Sequence, residues 1–170
     1  MLGYVMAQGR GAADKLLADL ADNLAARGWP LAGVVQLNLE RRPDRLCDME
    51  LRVLGHDHMV RISQDLGPQA RGCRLDPTGL EHAVGLVEAA LDTRPALLII
   101  NKFGKSEAEG RGFRAVIGRA LAEDIPVQTA VSTGNLAGFE AFSAGLGTPI
   151  EPDRASLLAW VEETCAARLG

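Results

Sequence analysis

No stretch of the chain reaches the roughly 18 consecutive apolar residues that a membrane-spanning helix needs. The segment Met1 to Met6 has no cationic leader and no long apolar core, so neither a span nor a signal peptide is expected. Cysteine is scarce: three residues, at positions 47, 73 and 165, form neither a disulfide framework nor a CxxC zinc pair. Positive charge is not in excess. Eighteen Lys and Arg stand against 22 Asp and Glu, a formal net charge of −4, which argues against a general nucleic-acid binder. The three histidines, at 56, 58 and 82, have no nucleophile motif beside them, so no Ser-His-Asp arrangement is visible. Repeats, low-complexity tracts and interdomain linkers are missing as well. At 170 residues the chain suits one ordinary domain and is too short for two well-buried ones. The expectation is a single domain over 1–170, located in the cytoplasm.

What is present reads as alternating strands and helices. Leu2 to Ala7 is a nearly continuous apolar run, as expected of a strand buried on both faces. A glycine-bearing loop, Gln8 to Gly11, leads into a helical stripe from Ala12 that ends at Gly28, and Leu31 to Leu37 reads as a second buried strand. From Met49 to Val53 apolar and polar residues alternate, Gly55 to His58 makes a turn, and Met59 to Ser63 runs back, which predicts a hairpin with one solvated face. Asp76-Pro77 is a helix start, with Asp as cap and Pro in the first turn, and the helix runs to about Leu91. Ala96 to Ile100 is the most apolar strand and is expected at the centre. A polar loop over Asn101 to Gly112, a helix to about Glu123, a strand over Pro126 to Val131, a short helix over Asn135 to Phe142 and a final helix over Asp153 to Leu169 complete the chain. The fold class is α/β: three layers around a mostly parallel sheet, with an inserted antiparallel hairpin.

Open parallel sheets bind ligands beyond the carboxyl ends of their strands, where loops feed helix amino ends. The loop after the first strand reads Gln8-Gly9-Arg10-Gly11-Ala12-Ala13-Asp14-Lys15-Leu16. Against the phosphate-loop pattern GxxxxGK[ST], Gly9 and Lys15 fall in register. Asp14 replaces the second glycine, and Leu16 replaces the hydroxyl that ligates Mg²⁺. A carboxylate facing phosphates repels them unless it turns to the helix amino end.

The loop after Ile100 reads Asn101-Lys102-Phe103-Gly104-Lys105-Ser106-Glu107-Ala108-Glu109-Gly110-Arg111-Gly112. At this place the small cancer-related nucleoside-triphosphatase family, a branch of the phosphate-loop NTPases, has Asp-Glu-Ile-Gly-Lys-Met-Glu, which the segment Asn101 to Glu107 resembles. The likeness extends to Gly33–Leu54, to the helix start Leu75-Asp76-Pro77, and to Ile125-Pro126-Val127, in order along most of the chain. A bacterial family associated with molybdate-transport genes is more similar still. Its Asn-x-Phe-Gly-Lys-x-Glu-x-x-Gly-x-Gly run is reproduced from Asn101 to Gly112. Its Ser-Gln-x-Leu-Gly and Gly-Cys-Arg-Leu-Asp runs are reproduced at Ser63–Gly67 and Gly72–Asp76. These resemblances imply a phosphate-loop NTPase-like fold with degenerate motifs and a connection to molybdate uptake or molybdenum metabolism.

The departures carry the chemistry. In an active enzyme of the resembled family, the strand-end Asp holds Mg²⁺ through water and the next Glu polarises the attacking water. Asn101 and Lys102 stand there. An amide has no net charge to hold a divalent cation, and an ammonium neither accepts a proton at neutral pH nor attracts Mg²⁺. Arg10, Lys15, Lys102, Lys105, Arg111 and Arg114 lie on or beside the two loops, offset in part by Asp14, Glu107 and Glu109. The expected ligand is a free anion: a nucleotide without Mg²⁺, phosphate, or a tetrahedral oxyanion such as molybdate. The expected binding residues are Gln8, Gly9, Arg10, Gly11, Ala12, Ala13, Asp14, Lys15, Asn101, Lys102, Lys105, Glu107 and Arg111, with no resident metal. The competing expectation is an active nucleoside-triphosphate phosphohydrolase in which Glu107 or Asp14 replaces the missing carboxylates.

Other groups also carry side chains capable of chemistry. His56-Asp57-His58 has the look of a metal pair but sits in a hairpin turn, where alternate residues face opposite sides. Cys47 and Cys73, flanked by Asp48 and Arg74, read either as small buried hydrophobes or as thiols activated by the nearby arginine. Cys165 reads as packing. Ser132 to Asn135 reads as a helix cap or as ligand hydroxyls, and Gln36 and Asn38, with Arg41 and Arg42 beyond, belong to the same rim. A homodimer through the exposed hairpin edge is compatible with the pattern.

Overall fold

The computed structural model describes residues 1–39, 48–56, 58–64 and 75–169. Arg41, Arg42, Cys47, Asp57, Cys73 and most of the Ser63–Gly67 and Gly72–Asp76 runs fall outside the described residues. In chain order the elements are β1 (Leu2–Val5), α1 (Ala12–Ala26), β2 (Leu31–Leu39), β3 (Asp48–Val53), β4 (His58–Arg61), α2 (Pro77–Leu91), β5 (Leu97–Phe103), α3 (Lys105–Ala108), α4 (Arg114–Ala122), β6 (Val127–Val131), α5 (Leu136–Ser143), β7 (Gly147–Ile150) and α6 (Arg154–Cys165). The seven-stranded sheet has the order β4-β3-β2-β5-β6-β1-β7. β2, β5, β6, β1 and β7 are parallel, and β3 and β4 add an antiparallel hairpin on the β2 side.

The central strand shows why a run with no polar residue still has two faces. Along β5, Leu98 and Ile100 pack with β2, α2 and α4, whereas Leu97 and Ile99 pack with α1 and α6. Successive side chains of a strand alternate, so a strand covered on both faces is apolar throughout. The alternation is interrupted where it matters for the site. Ile100 pairs with Thr129, but the next pairing is Phe103 with Val131, so β5 carries one extra residue in that interval. This bulge returns the fully buried Phe103 to the face of Ile100, where it meets Phe139 and Phe142 at ring-centroid distances of 5.4 and 5.2 Å. It also extends the strand through the segment read from sequence as loop. Within that segment a further short helix, α3, forms.

α2 begins as its sequence predicts: the Asp76 carboxylate accepts the Thr78 N–H at 3.0 Å with Pro77 in the first turn. α6 is capped likewise, Asp153 accepting from the Ser156 N–H at 2.9 Å; these hydrogen bonds hold the Asp153 carboxyl below its ordinary value. β7 was not expected, because Gly147-Thr148-Pro149-Ile150 has no apolar alternation. Its place at the sheet edge tolerates the proline, which has no N–H to donate. Cys165 is buried against α1, and burial pushes its thiol up to about 11, consistent with packing. Among the described residues no helix is long and apolar enough to cross a membrane.

Gly33, in the middle of β2, has φ +115°, and a Cβ there would lie 1.8 Å from the Ile99 carbonyl oxygen on β5. Only glycine lets the two strands pair at this point. Gly33→Ala is expected to lower the unfolding free energy by about 3 kcal/mol or more, seen as a fall in the urea midpoint. An unchanged midpoint would mean that β2 and β5 do not meet this closely.

Candidate functional site

The C-terminal ends of β2 and β5 and the start of α1 converge on one closed ring of hydrogen bonds. The Gln36 backbone N–H donates to Asn101 Oδ1 (2.9 Å), and Asn101 Nδ2 donates to Asp14 Oδ1 (2.8 Å). Asp14 Oδ2 accepts from Asn38 Nδ2 (2.9 Å), and Asn38 Oδ1 accepts from Gln36 Nε2 (2.9 Å), which returns the ring to its origin. Its direction is dictated by chemistry. A backbone N–H can only donate and an ionised carboxylate can only accept, so Asn101 must turn its oxygen to Gln36 and its amide hydrogens to Asp14. Asn38 must do the same between Gln36 and Asp14. Asn101 and Gln36 are only 3% and 7% exposed, and the ring gives the Asn101 amide and the Gln36 Nε2 group partners of the kind such burial requires.

The loop over Gly104–Phe113 has its own lock. The Glu107 carboxylate is buried and accepts the Gly104 N–H at 2.9 Å and the Phe113 N–H at 3.0 Å, joining the two ends of the loop. Arg114 donates to the Glu107 backbone carbonyl at 3.1 Å, and its guanidinium lies 4.9 Å from the centre of the Phe142 ring. Gly112 has φ +58°, and a Cβ there would come within 2.2 Å of Glu107 Oε1. The Asn101–Gly112 run is thus largely a folding instruction: Asn101 closes the ring, Phe103 enters the core, Gly104 and Glu107 pair, and Gly112 makes room.

A cleft of about 790 Å³ opens between this loop, α2 and β2–β3. Its apolar wall includes Val34, Leu51, Ile62, Leu80, Ile100 and Phe113. Its polar part comprises Asp14, Gln36, Asn38 and Asn101, with Arg10, Lys102 and Lys105 also on the lining. A smaller hollow of about 180 Å³ lies between the β1–α1 loop and the ends of β5 and β6, lined by Gly9, Gly11, Ala13, Asp14, Ser132 and Asn135 among others. Asn135 donates to Ser132 Oγ at 3.0 Å, so this pair holds the turn between β6 and α5.

The structure therefore brings Gly9, Arg10, Gly11, Ala13, Asp14, Asn101, Lys102 and Lys105 to one region. Gln8 is exposed on the same loop and Ala12 opens α1, but neither lines a cleft. Lys15 projects from α1 into solvent, 3.3 Å from Asp19 one turn on, and Arg111 pairs with Glu109 in solvent. Glu107 borders the cleft, with both carboxylate oxygens engaged by the backbone. Lys105 lies 3.8 Å from Glu109 in an exposed pair of the kind that contributes only ~0.5 kcal/mol, so its ammonium is released at little cost. Arg10 and Lys102 have no carboxylate partner among the described residues. The apolar wall had no sequence signal of its own, since its residues look like ordinary core. His58 and His82 meet edge to face at 5.8 Å, and among the described residues no group of three or more His, Cys, Asp or Glu is placed to hold a metal ion.

This arrangement, a parallel sheet whose first strand feeds a glycine-bearing loop and helix facing the polar end of a central strand, is the phosphate-loop NTPase fold. The crystal structure of THEP1 from the hyperthermophile Aquifex aeolicus superposes with a TM-score of 0.65 over 98% of this chain and 97% of that one, at 12% identity. The chain belongs to the family described as "Protein of unknown function (DUF2478)", whose model matches residues 2–160. It is also 36% identical over 151 residues to Molybdenum import ATP-binding protein ModC 2 of Bradyrhizobium diazoefficiens. That match covers 89% of this chain and 17% of that protein, so the chain corresponds to a small part of a much longer relative.

Two substitutions test the site as a folded object. Glu107→Gln replaces one of two acceptors with a donor that faces a backbone N–H, and should cost about 2 kcal/mol of stability; parent-like stability in urea would mean the carboxylate does not bridge the loop. Asn101→Asp removes the donor to Asp14 and sets two carboxylates together. It should cost about 2–3 kcal/mol at pH 7. Of two carboxylates so placed, one has its folded-state pKa raised, so the deficit relative to the parent should shrink as pH falls through that value. A deficit independent of pH between 7 and 4.5 would contradict the contact.

Proposed function

We propose that this protein binds a nucleotide or a related anion in the 790 Å³ cleft without a divalent cation, and that it serves molybdate uptake or molybdenum metabolism as an accessory or regulatory component rather than as a hydrolase. One observation carries the binding: a cleft of ligand size, beyond the ends of parallel strands, with an apolar wall and a lining that includes Arg10 and Lys102, which have no carboxylate partner among the described residues. A bare oxyanion needs no such wall. An anion with an apolar body uses both. The name of the Bradyrhizobium relative supports the molybdenum connection.

The residues present do not fit the Mg²⁺ of an NTPase of this fold. The hydroxyl position is Leu16, the strand-end position is an uncharged amide already hydrogen-bonded to Gln36 and Asp14, and the next residue is a lysine. Asn101 is thereby a positioning group. Arg10 and Lys102 would supply the charge, with Lys105 and the open amino end of α1 beside them. Asp14 is the observation that favours the second reading, a phosphohydrolase with an altered metal site: it keeps one carboxylate in the cleft where Glu107, locked by backbone amides, cannot serve.

The two readings separate in solution. ATP, ADP or GTP at ~100 times its dissociation constant should stabilise the chain by about 2.7 kcal/mol, equally with and without Mg²⁺. The Arg10→Ala/Lys102→Ala double variant should lose the effect, and phosphate release should stay at the protein-free rate. Stabilisation that requires Mg²⁺ or Mn²⁺, with turnover abolished by Asp14→Asn, would establish the enzyme reading instead. If no nucleotide, phosphate or molybdate shifts the melting temperature, the binding reading fails.

A further inference from the structure

The fixed direction of the hydrogen-bond ring decides what the polar part of the cleft offers a ligand. Each ring bond spends one donor, on Asn101 Oδ1, Asp14 or Asn38 Oδ1, which leaves one N–H on each of Gln36 Nε2, Asn38 Nδ2 and Asn101 Nδ2. Against those three donors stand more numerous acceptor directions, and the one charged group among them is an acceptor. A carboxylate has about four lone-pair directions, and Asp14 uses two of them on Asn38 and Asn101. Gln36 Oε1 has no partner among the described residues, although the Gln36 side chain is more than nine-tenths buried and lines the cleft. A negatively charged acceptor and a neutral one therefore share the lining of the cleft with apolar side chains that include Leu80 and Phe113.

Such a surface discriminates by the hydrogen-bonding edge of a flat ring. A carboxylate matches two adjacent N–H donors, which it takes one on each oxygen, and it is repelled by a ring nitrogen lone pair. Adenine offers a lone pair next to its single amino group. A 2-amino-oxo pyrimidine ring offers a ring N–H next to an amino group, and guanine and pterins share that edge.

We propose that the cleft selects a 2-amino-oxo heterocycle, a guanine nucleotide or a phosphorylated pterin, through paired N–H contacts to the Asp14 carboxylate. Asn38 and Asn101 hold that carboxylate in place, the apolar wall takes the ring face, and the Arg10 and Lys102 side takes the phosphate. This rests on the anion-binding reading above and adds the identity of the ring to it.

Calorimetric titration of the full chain with GMP, IMP, AMP and a phosphorylated pterin tests the edge. IMP lacks only the 2-amino group. GMP should bind about 10- to 100-fold more tightly than IMP or AMP, the worth of one charge-assisted hydrogen bond. Asp14→Asn should bring GMP and IMP to within about twofold of each other, with folding checked by circular dichroism. A pterin that binds more tightly than GMP while the Asp14→Asn variant loses both would assign the edge to a pterin and support the proposal. Equal affinities for GMP, IMP and AMP would overturn the edge readout and leave the anion reading standing. No binding by any of them would overturn the edge readout, and the thermal shifts with ATP, ADP, GTP, phosphate and molybdate then decide the anion reading separately.

Discussion

The site depends on a single directional constraint: a backbone N–H at Gln36 that can only give, and a carboxylate at Asp14 that can only receive. Between these fixed poles, the two asparagines have no choice of orientation. The ring they form ties β2, β5 and the first turn of α1 together without a metal. In a site organised by a divalent cation, carboxylates are drawn in by the ion and held apart by it. Here the same three elements are joined by amide-to-carboxylate hydrogen bonds, each worth roughly 1.5–3 kcal/mol when one partner is charged. The exchange is coherent. An aspartate at 101 would set two anions in contact unless a cation lay between them. An asparagine there turns repulsion into a bond.

The loop beyond β5 follows the same logic one layer out. A buried carboxylate needs full compensation, and Glu107 finds it in two backbone N–H groups at opposite ends of its own loop. That gives the glycines of the loop a structural reason of their own. Gly112 is required because a side chain would strike the carboxylate that closes the loop, and the bulge in β5 is required because Phe103 must rejoin the core face. The loop thereby forms one wall of the cleft, with Lys102 and Lys105 on the lining and the Glu107 carboxylate engaged by the backbone.

Much of this was legible in the sequence because it is local. Asp76-Pro77 states a helix start within two residues, the Ala96–Ile100 run states a central strand, and the alternation at Met49–Val53 states a hairpin. The conflict between Asn101-Lys102 and the pattern of a metal-dependent enzyme was equally visible. What was hidden is non-local or lacks periodicity. Asn101 and Gln36 stand 65 positions apart, and nothing in either segment announces that the amide oxygen of one meets the backbone of the other. Asp14 read as a misfit to a phosphate loop, when it is the acceptor to which both asparagines point. Glu107 read as a candidate ligand because charge in a loop usually faces water, yet it is buried and spent on the backbone. Lys15 fits a phosphate-loop register by position, but α1 begins at Ala12, earlier than that register implies, so the lysine is carried into the helix and projects beside Asp19.

The charges of the cleft also decide what kind of anion it suits. Asp14 would repel any ligand whose negative charge fills the whole cavity, which counts against a small oxyanion seated at the ring. Arg10 and Lys102 have no carboxylate partner among the described residues, so a negative group near them would gain attraction without first breaking an ion pair there. Both conditions are met when the ligand separates its functions: a neutral, donor-bearing ring toward Asp14 and a phosphate toward the cations. The apolar wall would give the ring its contact area. A carboxylate that looks like a defect in an anion site becomes, on this division of labour, the group that tells one nucleobase from another.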